Sequence, residues 1–192
     1  SRDPFSGIYW TLVMGLRGQV DGRVNPEKKR VSPAEATAEI KRAAKYAGAD
    51  LVGVATVKQD FTYSDGFSYE ESKMGTGPAV TTPIDLRHTY AIVIGKEMNF
   101  DRIQSTLTEK NEESLAEIGK TYYELGQISC ALAAYIRQMG YSARAHHLRN
   151  EQVCHVPHAI DAGLGEQGRF DFLITRDYGP RVRLATVTTD LE

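Results

Sequence analysis

The clearest hydrophobic pattern in the chain lies between residues 115 and 139, where apolar positions recur in steps of three and four. Steps of this size place side chains on one face of an α-helix. We therefore predict a long amphipathic helix that starts near Asn111 and ends at Gly140. The positions on its predicted buried face are Leu115, Ile118, Tyr122, Leu125, Ser129, Leu132, Ile136 and Met139.

A second helix is predicted by a capping signal that precedes helical spacing. Ser32 and Glu35 form a capping box, with Pro33 at the first helical position. Gly48 ends the predicted helix. The apolar run over residues 51–57 then predicts a buried strand.

The remaining apolar runs are short and predict strands that alternate with helices. Further strands are predicted over residues 89–95, 141–145, 170–175 and 182–187, and a short helix over residues 156–163. The last two strands are joined at Tyr178-Gly179-Pro180, and antiparallel pairing is expected there. This order indicates an α/β or α+β domain of three layers, in which helices flank a central mixed sheet.

The length of the chain and its segments predict one domain. A chain of 192 residues is long enough for one well-buried domain and too short for two ordinary ones. Residues 1–31 precede the capped helix and are interpreted as an N-terminal extension, so residues 32–192 form the predicted domain. Residues 61–86 are rich in Gly, Ser, Thr, Tyr and Pro. We interpret them as a long functional loop that covers a ligand cavity.

Composition excludes several classes of function. A quarter of the residues are charged and the net charge is −2, which gives no field that would concentrate nucleic acid. No window approaches eighteen apolar residues, so no membrane span is predicted. Cys130 and Cys154 do not make a disulfide framework, which fits a reducing compartment. They are also too few for an iron–sulfur cluster, which needs four thiolates.

A glycine-rich segment follows the short predicted helix. Gly163, Gly165 and Gly168 match the letters of the dinucleotide-binding fingerprint, G-x-G-x-x-G. That fingerprint follows a strand and opens a helix, whereas here a helix precedes it and a strand follows. Judged on spacing alone, the segment predicts a tight turn.

Four histidines and one cysteine lie close together in the sequence and are candidate ligands of zinc or iron. They are His146, His147, Cys154, His155 and His158. No pair has the spacing of a zinc finger or of an H-E-x-x-H motif. Adjacent histidines on a strand also point to opposite faces. We therefore predict no bound metal ion at this cluster.

The C-terminal sequence resembles the reductive dehalogenase family in an ordered series of motifs. The series comprises residues 159–169, Leu173-Ile174-Thr175, Tyr178-Gly179-Pro180, Val182-Arg183-Leu184 and Thr188-Thr189-Asp190-Leu191. Upstream, residues 135–141 resemble a helix end of that family, and residues 49–54 resemble its first strand. The resemblance covers most of residues 32–191. Epoxyqueuosine reductases are similar in general layout, but the dehalogenases are closer.

This resemblance implies a base-off cobalamin held in a nitroreductase-like domain. It also implies a following ferredoxin-like domain, whose two [4Fe–4S] clusters carry electrons from a donor to the corrinoid. The implied reaction replaces the halogen of a small organohalide by hydrogen, with a proton from a tyrosine beside an Arg or Lys. We expect the cluster domain to lie beyond Leu191, so the chain is expected to be an incomplete enzyme.

The resemblance assigns candidate catalytic residues to two predicted elements. Tyr122 aligns with the tyrosine that donates the proton, and Tyr123 is the alternative one residue away. Arg183 aligns with the cation, and Arg181 shares its face if the segment is a strand. A phenol has an ordinary pKa near ~10 and is a poor acid unless a cation stabilises its anion. From spacing alone, a core aromatic residue is the favoured interpretation of Tyr122, and the alignment with the family reverses that preference.

Cofactor contacts are implied in the segments that follow the long helix. Asn150 is expected to approach the corrin or the substrate, although an ordinary turn asparagine is an equal interpretation. His158 is expected to line the corrin rim. The implied contacts of the glycine-rich segment are Gly163, Leu164, Gly165, Gly168 and Arg169.

Other classes of protein stay open at this point. The domain could be a corrinoid-processing module without dehalogenation, a flavin-binding nitroreductase relative, or a zinc protein. A cytoplasmic location is expected, with export by a twin-arginine signal as the alternative, because the family includes both kinds. The identity of the organohalide and the oligomeric state are not predicted.

Overall fold

A four-stranded antiparallel sheet forms the centre of the computed structural model, which describes residues 4–67, 77–104 and 112–192. Its strands follow the order β1-β4-β8-β5. The strands of the chain are β1 (Leu51–Thr56), β2 (Asp65–Phe67), β3 (Thr81–Pro83), β4 (Tyr90–Glu97), β5 (Ala143–His146), β6 (Glu166–Gln167), β7 (Leu173–Ile174) and β8 (Val182–Thr189). The helices are α1 (Pro4–Gly15), α2 (Pro33–Tyr46), α3 (Phe100–Gln104), α4 (Glu112–Gln138) and α5 (His155–Asp161).

The sheet is antiparallel throughout, where a mixed sheet was expected. Strands β4 and β5, which α4 connects, run in the same direction, as helices that alternate with strands suggest. However, β8 lies between them and pairs antiparallel with both. Strand β4 likewise separates β1 from β8. Because β4 and β8 each separate two strands that run in the same direction, no two neighbouring strands of this sheet are parallel.

Helices cover both faces of the sheet, so the expected three layers and the α/β fold class are confirmed. Alternate residues of the central strands face opposite sides. On one face, Ile92, Ile94, Ala185 and Val187 pack with α2 and α4 in the larger core cluster. On the other face, Val93 and Leu184 pack with residues of α5 and of the glycine-rich segment.

Helix α2 begins and ends where the sequence predicts. The Ser32 hydroxyl accepts a hydrogen bond from the Glu35 N–H, and the Glu35 carboxylate accepts one from the Ser32 N–H. Both bonds satisfy donors that a helix start otherwise leaves without partners. At the other end, Gly48 adopts φ +105°, a conformation that favours glycine.

Helix α4 is longer than the other helices of the described residues and is buried on more than one side. Leu125, Leu132 and Ile136 face the sheet as predicted. Leu115 was expected on the same buried face but is exposed. Its neighbours Ala116, Glu117 and Gly119 are buried instead, because α1 and α3 cover α4 at that end. The predicted start at Asn111 lies outside the described residues.

The segment interpreted as an N-terminal extension packs against the rest of the domain. Helix α1 lies along α4 and buries Val13 completely. A 3₁₀ helix, Leu16–Gln19, leads from it to Val20, which belongs to the larger core cluster. The Val20 carbonyl accepts hydrogen bonds from the Ala145 N–H and from the Arg137 guanidinium. None of the described helices combines the length and apolar character that a bilayer crossing requires.

Two small hairpins lie outside the central sheet. Strands β2 and β3 pair within the predicted 61–86 loop, of which residues 68–76 lie outside the described part. The predicted strand over residues 170–175 is shortened to β7, which pairs with β6. Asp171 adopts φ +62°, which interrupts the extended backbone before Leu173.

Candidate active site

Tyr122 and Arg183, the two predicted catalytic residues, lie against each other. Tyr122 belongs to α4, and Arg183 is the second residue of β8. The guanidinium carbon of Arg183 is 5.4 Å from the centre of the Tyr122 ring. A cation at this distance is attracted to the face of an aromatic ring. The fold thus places a phenol and a permanent cation together at one end of the sheet.

Polar atoms of this pair have no partners among the described residues. The Nε atom of Arg183 is buried and makes no hydrogen bond there. Within the same residues, no carboxylate forms an ion pair with Arg183, and no hydrogen bond reaches the Tyr122 hydroxyl. A buried polar atom without a partner costs about 1–3 kcal/mol. Such atoms are expected where a ligand completes the site.

Aromatic side chains from two other segments surround the pair. Trp10 of α1 contacts Tyr122, with 5.7 Å between the ring centres. Phe172, which precedes β7, lies 6.0 Å from the Arg183 guanidinium carbon. Trp10 approaches because position 119 is glycine: a Cβ atom there would lie 3.1 Å from the indole nitrogen of Trp10. Sequence reasoning missed Trp10, although a glycine inside a strongly helical segment is a signal of close packing.

The two alternative catalytic residues make other contacts. Tyr123 contacts the ring of Tyr9, with 6.3 Å between the ring centres. Arg181 pairs with the Glu97 carboxylate at 2.5 Å and donates to the Met98 carbonyl at 2.8 Å. Because its charge is already paired, Arg181 is less able to stabilise a second anion. The geometry therefore groups Tyr122 with Arg183.

The glycine-rich segment forms a turn, and the backbone conformation and packing within this turn explain why three of its positions are glycine. Gly163 adopts φ +74° and closes α5, since the Leu164 N–H donates to the Ala159 carbonyl. A Cβ atom at Gly165 would lie 2.3 Å from the Ile174 carbonyl oxygen, so only glycine fits beside β7. A Cβ atom at Gly168 would lie 3.0 Å from the Ile174 side chain. The predicted tight turn is confirmed, with a second short strand, β6, inside it.

Other residues of the expected cofactor contacts differ in accessibility. Arg169 is exposed, while the Leu164 side chain packs against the smaller core cluster. His158 is fully buried and uses both ring nitrogens. Its Nδ1–H donates to the Cys154 carbonyl at 2.8 Å, and its Nε2 accepts from the Lys58 N–H at 3.5 Å. Both ring nitrogens of His158 thus have partners among the described residues, and its expected contact with the cofactor stays a prediction.

His88, His146 and His155 bind threonines of β8. The Gln152 N–H donates to Nδ1 of His146, so the neutral ring carries its proton on Nε2 and donates to the Thr188 hydroxyl at 2.8 Å. The Thr188 hydroxyl then donates to Nδ1 of His88 at 2.8 Å. Burial lowers the pKa of both His146 and His88, which keeps these rings neutral.

Within the described residues, no three His, Cys, Asp or Glu side chains are arranged to hold a metal ion. His155 lies on the same face of the sheet, and its Nδ1 is 2.8 Å from the Thr186 hydroxyl. Of the clustered histidines, His146 and His155 contact threonines of β8, whereas His147 contacts Asn150 and His158 contacts Cys154.

Asn150 lines a cavity of about 590 Å³ beside the β2–β3 hairpin. Its side-chain oxygen accepts a hydrogen bond from the His147 N–H at 3.1 Å. Its amide nitrogen is 3.0 Å from Nε2 of His147. Residues of the predicted 61–86 loop, including Thr82 and Ile84, form another wall of this cavity. The loop thus lines a cavity, and Asn150 is accessible from it.

The fold places the protein in the class of three-layer α/β domains, and its candidate site is a tyrosine–arginine pair at one end of the sheet. No family model matches the sequence. The chain is 33% identical over 190 residues to a tetrachloroethene reductive dehalogenase of Desulfitobacterium hafniense, which covers 84% of this chain and 34% of that protein. A tetrachloroethene reductive dehalogenase of Sulfurospirillum multivorans is 32% identical over 179 residues. That match covers 83% of this chain and 35% of the relative.

Solved structures agree with these relatives. The catabolic reductive dehalogenase NpRdhA superposes with a TM-score of 0.82 and 25% identity, over 97% of this chain and 26% of that one. A reductive dehalogenase studied for B12-dependent dehalogenation gives a TM-score of 0.81 and 26% identity, over 95% of this chain and 25% of the other. The chain belongs to the reductive dehalogenase family, and it spans about a third of the length of the curated relatives it matches.

The family resemblance recognised in the sequence is thereby confirmed. The names of the relatives describe oxidoreductases that remove halogen from organic molecules. Epoxyqueuosine reductases, the other group similar in layout, superpose with a TM-score of 0.48 and 16% identity. That likeness supports no functional conclusion.

Proposed function

We propose that this chain is the corrinoid-binding part of an enzyme that replaces the halogen of an organohalide by hydrogen. The observation that carries the proposal is the contact between Tyr122 and Arg183, with polar atoms that have no partner among the described residues. The relatives support the same reaction class, since they are reductive dehalogenases by name.

The surface next to this pair suits a large, mostly apolar macrocycle. Phe172 and Ile174 flank the buried Leu173, so they share one side of β7. Their side chains are 51% and 40% exposed, and Phe170 in the preceding turn is 85% exposed. Apolar side chains exposed together commonly mark a binding surface. Phe172 joins this surface to Arg183.

We propose that a base-off cobalamin binds against this surface. The proposed contacts are Asn150, His158, Gly163, Leu164, Gly165, Gly168 and Arg169. When bound, the corrinoid supplies the redox chemistry through its reduced cobalt. The backbone of the glycine-rich segment offers amide groups without bulky side chains, and Arg169 offers a cation to the polar rim of the cofactor.

The chain's own residues then manage the proton. Tyr122 donates the proton that replaces the halide, and Arg183 stabilises the phenolate that remains. Arg183 can do so because, among the described residues, no carboxylate pairs with it. Trp10 also contacts the Tyr122 ring and limits its movement.

Electrons must reach the site from outside this chain. Cys130 and Cys154 cannot bind a [4Fe–4S] cluster, which needs four ligands. We propose that ferredoxin-like clusters in the remainder of the full-length protein carry electrons from the physiological donor. The substrate proposed is a small organohalide, as one relative of known structure has been studied with 3-bromo-4-hydroxybenzoic acid.

The test is a spectroscopic titration of the purified chain with cobalamin. Binding should change the corrinoid absorption bands, whereas titration with a flavin should give no change. Phe172→Ser should weaken cobalamin binding by about tenfold, because it removes apolar contact area. Phe100→Ser is the matched control, since Phe100 is 53% exposed and contacts Arg181 instead. Flavin binding, or equal effects of both variants, would contradict the proposal.

A further inference from the structure

Three arginines from separate elements converge on the cavity that Asn150 lines. Arg17 lies in the N-terminal 3₁₀ helix, Arg144 in β5, and Arg149 in the loop that follows β5. Arg149 adopts φ +66°, a conformation that costs free energy for a residue other than glycine. The concentration of guanidinium groups at one cavity of about 590 Å³ gives that cavity a cationic wall.

Arg144 is the arginine whose contacts are best defined. One terminal nitrogen of its guanidinium pairs with the Asp21 carboxylate. Its Nε atom is buried and has no hydrogen-bond partner among the described residues. Burial also lowers the pKa of Arg144, which shows that its charge is poorly solvated. Asp21 supplies a counter-charge at the terminal nitrogen, and a bound anion would supply the hydrogen-bond partner that Nε lacks.

Among the residues that line the cavity, Glu151 is the one carboxylate. Burial raises its pKa, whereas hydrogen bonds from the backbone N–H groups of Glu151, Arg149 and Asn150, together with the charge of Arg149, act in the opposite direction. The carboxylate is therefore held by its own loop and does not pair with Arg144.

The neutral groups beside the arginines also favour an anion. Burial, with a further contribution from the charges of Arg17 and Arg144, lowers the pKa of His147 to about 4. His147 is therefore uncharged at neutral pH. The amide of Asn150, which contacts His147, adds a hydrogen-bond donor at the same wall.

We propose that this cavity binds the carboxylate or phosphate group of a small molecule through Arg144, Arg149 and Asn150. Guanidinium groups bind such oxyanions with two parallel hydrogen bonds. Two kinds of ligand carry a suitable group: halogenated aromatic acids and the nucleotide portion of a complete corrinoid. The choice of these two ligands rests on the proposed function, whereas the cationic wall is present whichever reaction the protein catalyses.

The test is calorimetric titration of the purified chain with pairs of ligands that differ in one anionic group. Inorganic phosphate establishes whether an oxyanion binds at all. For a carboxylate source, 3-bromo-4-hydroxybenzoate should bind at least about tenfold more tightly than 2-bromophenol. If the group is a phosphate, cobinamide, which lacks the nucleotide, should bind at least about tenfold more weakly than cobalamin. The affinity of the preferred ligand should also fall as salt concentration rises.

Variants assign the binding to the arginines. Arg144→Gln and Arg149→Gln should each weaken oxyanion binding by about tenfold or more, since each removes a charged hydrogen-bond donor. Asp21→Asn should strengthen binding, because it removes the carboxylate that competes for Arg144. Arg176→Gln is the matched control: Arg176 is exposed and does not line the cavity, so binding should not change.

Several results would overturn the subsite. It is wrong if phosphate does not bind and both anionic ligands bind no better than their uncharged counterparts. It is also wrong if the exposed variant Arg149→Gln, which should fold normally, has the affinity of the unaltered chain. If cobalamin still changes its spectrum in the presence of the chain under these conditions, the corrinoid proposal stands while the oxyanion subsite fails.

Discussion

The two faces of the central sheet both carry polar side chains, but they differ in how those side chains are partnered. On the face covered by α4, the Arg183 Nε atom and the Tyr122 hydroxyl make no hydrogen bond within the described residues. On the opposite face, Thr188 binds both His88 and His146. A buried polar group is costly unless it is hydrogen-bonded.

This difference distinguishes polar groups that can bind a ligand from polar groups that serve only to stabilise the fold. The contacts of Thr188 with His88 and His146 connect β5 and β8 to the loops beside them, and both ring nitrogens of these two histidines have partners. Nε2 of His155, on the same face, has no partner among the described residues. The Tyr122–Arg183 pair retains unmet hydrogen-bonding capacity and adjoins the exposed Phe172. The histidines are clustered in the sequence and were the candidate metal ligands, yet it is the Tyr122–Arg183 pair that has the features of a ligand site.

The largest effect is expected from Tyr122→Phe in the full-length enzyme. Turnover should fall by at least about 100-fold, because the variant removes the proposed proton donor while keeping the ring. Corrinoid absorption should stay unchanged, and Tyr123→Phe should retain activity. If the two variants behave in the opposite way, Tyr123 is the donor. Equal activity in both would contradict the proton-donor role.

Thr188→Val should test the structural role of the opposite face. The substitution keeps the shape of the side chain but leaves ring nitrogens of His88 and His146 without their partner. We expect a loss of about 2–4 kcal/mol in the free energy of unfolding, measured with urea. The exposed Thr81→Val should change it by less than about 0.5 kcal/mol. A loss below about 1 kcal/mol in Thr188→Val would show that this network contributes little.

Acid should destabilise the fold through its buried histidines. Burial lowers the pKa of His147 and of His155 to about 4, whereas an unfolded histidine titrates near ~6.5. Between these values the unfolded chain binds protons that the folded chain disfavours. The free energy of unfolding should therefore decrease as pH falls from about 6.5 towards 4, by up to about 1.4 kcal/mol per pH unit for each histidine.

The variant Glu151→Gln should make this loss steeper. Burial raises the pKa of Glu151, so the folded state takes up that proton more readily and is stabilised as pH falls. Urea unfolding at pH 7, 6 and 5 measures both effects. An unfolding free energy that is constant over this range would show that these histidines are not held neutral.

The smallest effects are expected from substitutions of Arg181 and Arg183, and they concern the free energy of unfolding. Arg181→Met breaks the ion pair with Glu97 and should lower the unfolding free energy by about 1 kcal/mol. Arg183→Met should change it by less than about 0.5 kcal/mol, because the lost cation–π contact is offset by removal of an unsatisfied buried nitrogen. Thermal unfolding measures the difference. Greater destabilisation by Arg183→Met would contradict the functional interpretation of its missing partners.

Local signals predicted the elements of this fold better than their arrangement. The capping box at Ser32 and the periodicity of α4 located both helices, because hydrogen bonds and side-chain spacing within one segment determine them. The order of the strands could not be predicted in this way. The pairing of β8 between β4 and β5 depends on contacts between segments that are far apart in the sequence.

The same limit applies to the candidate site. Alignment with the family indicated Tyr122 and Arg183, but it left Tyr123 and Arg181 as alternatives. Their different contacts became visible only in three dimensions. Trp10 was missed because no pattern within residues 1–31 shows that α1 packs against Gly119.

The sequence alone determined the family, the main helices and strands, and the residue types that can perform the proposed chemistry. These follow from short-range spacing and from motifs that are contiguous in the chain. The tertiary structure decided which polar groups are satisfied and which await a ligand. Burial, charge proximity and hydrogen-bond partners arise only when distant segments pack, and those quantities distinguish the Tyr122–Arg183 pair from His88 and His146.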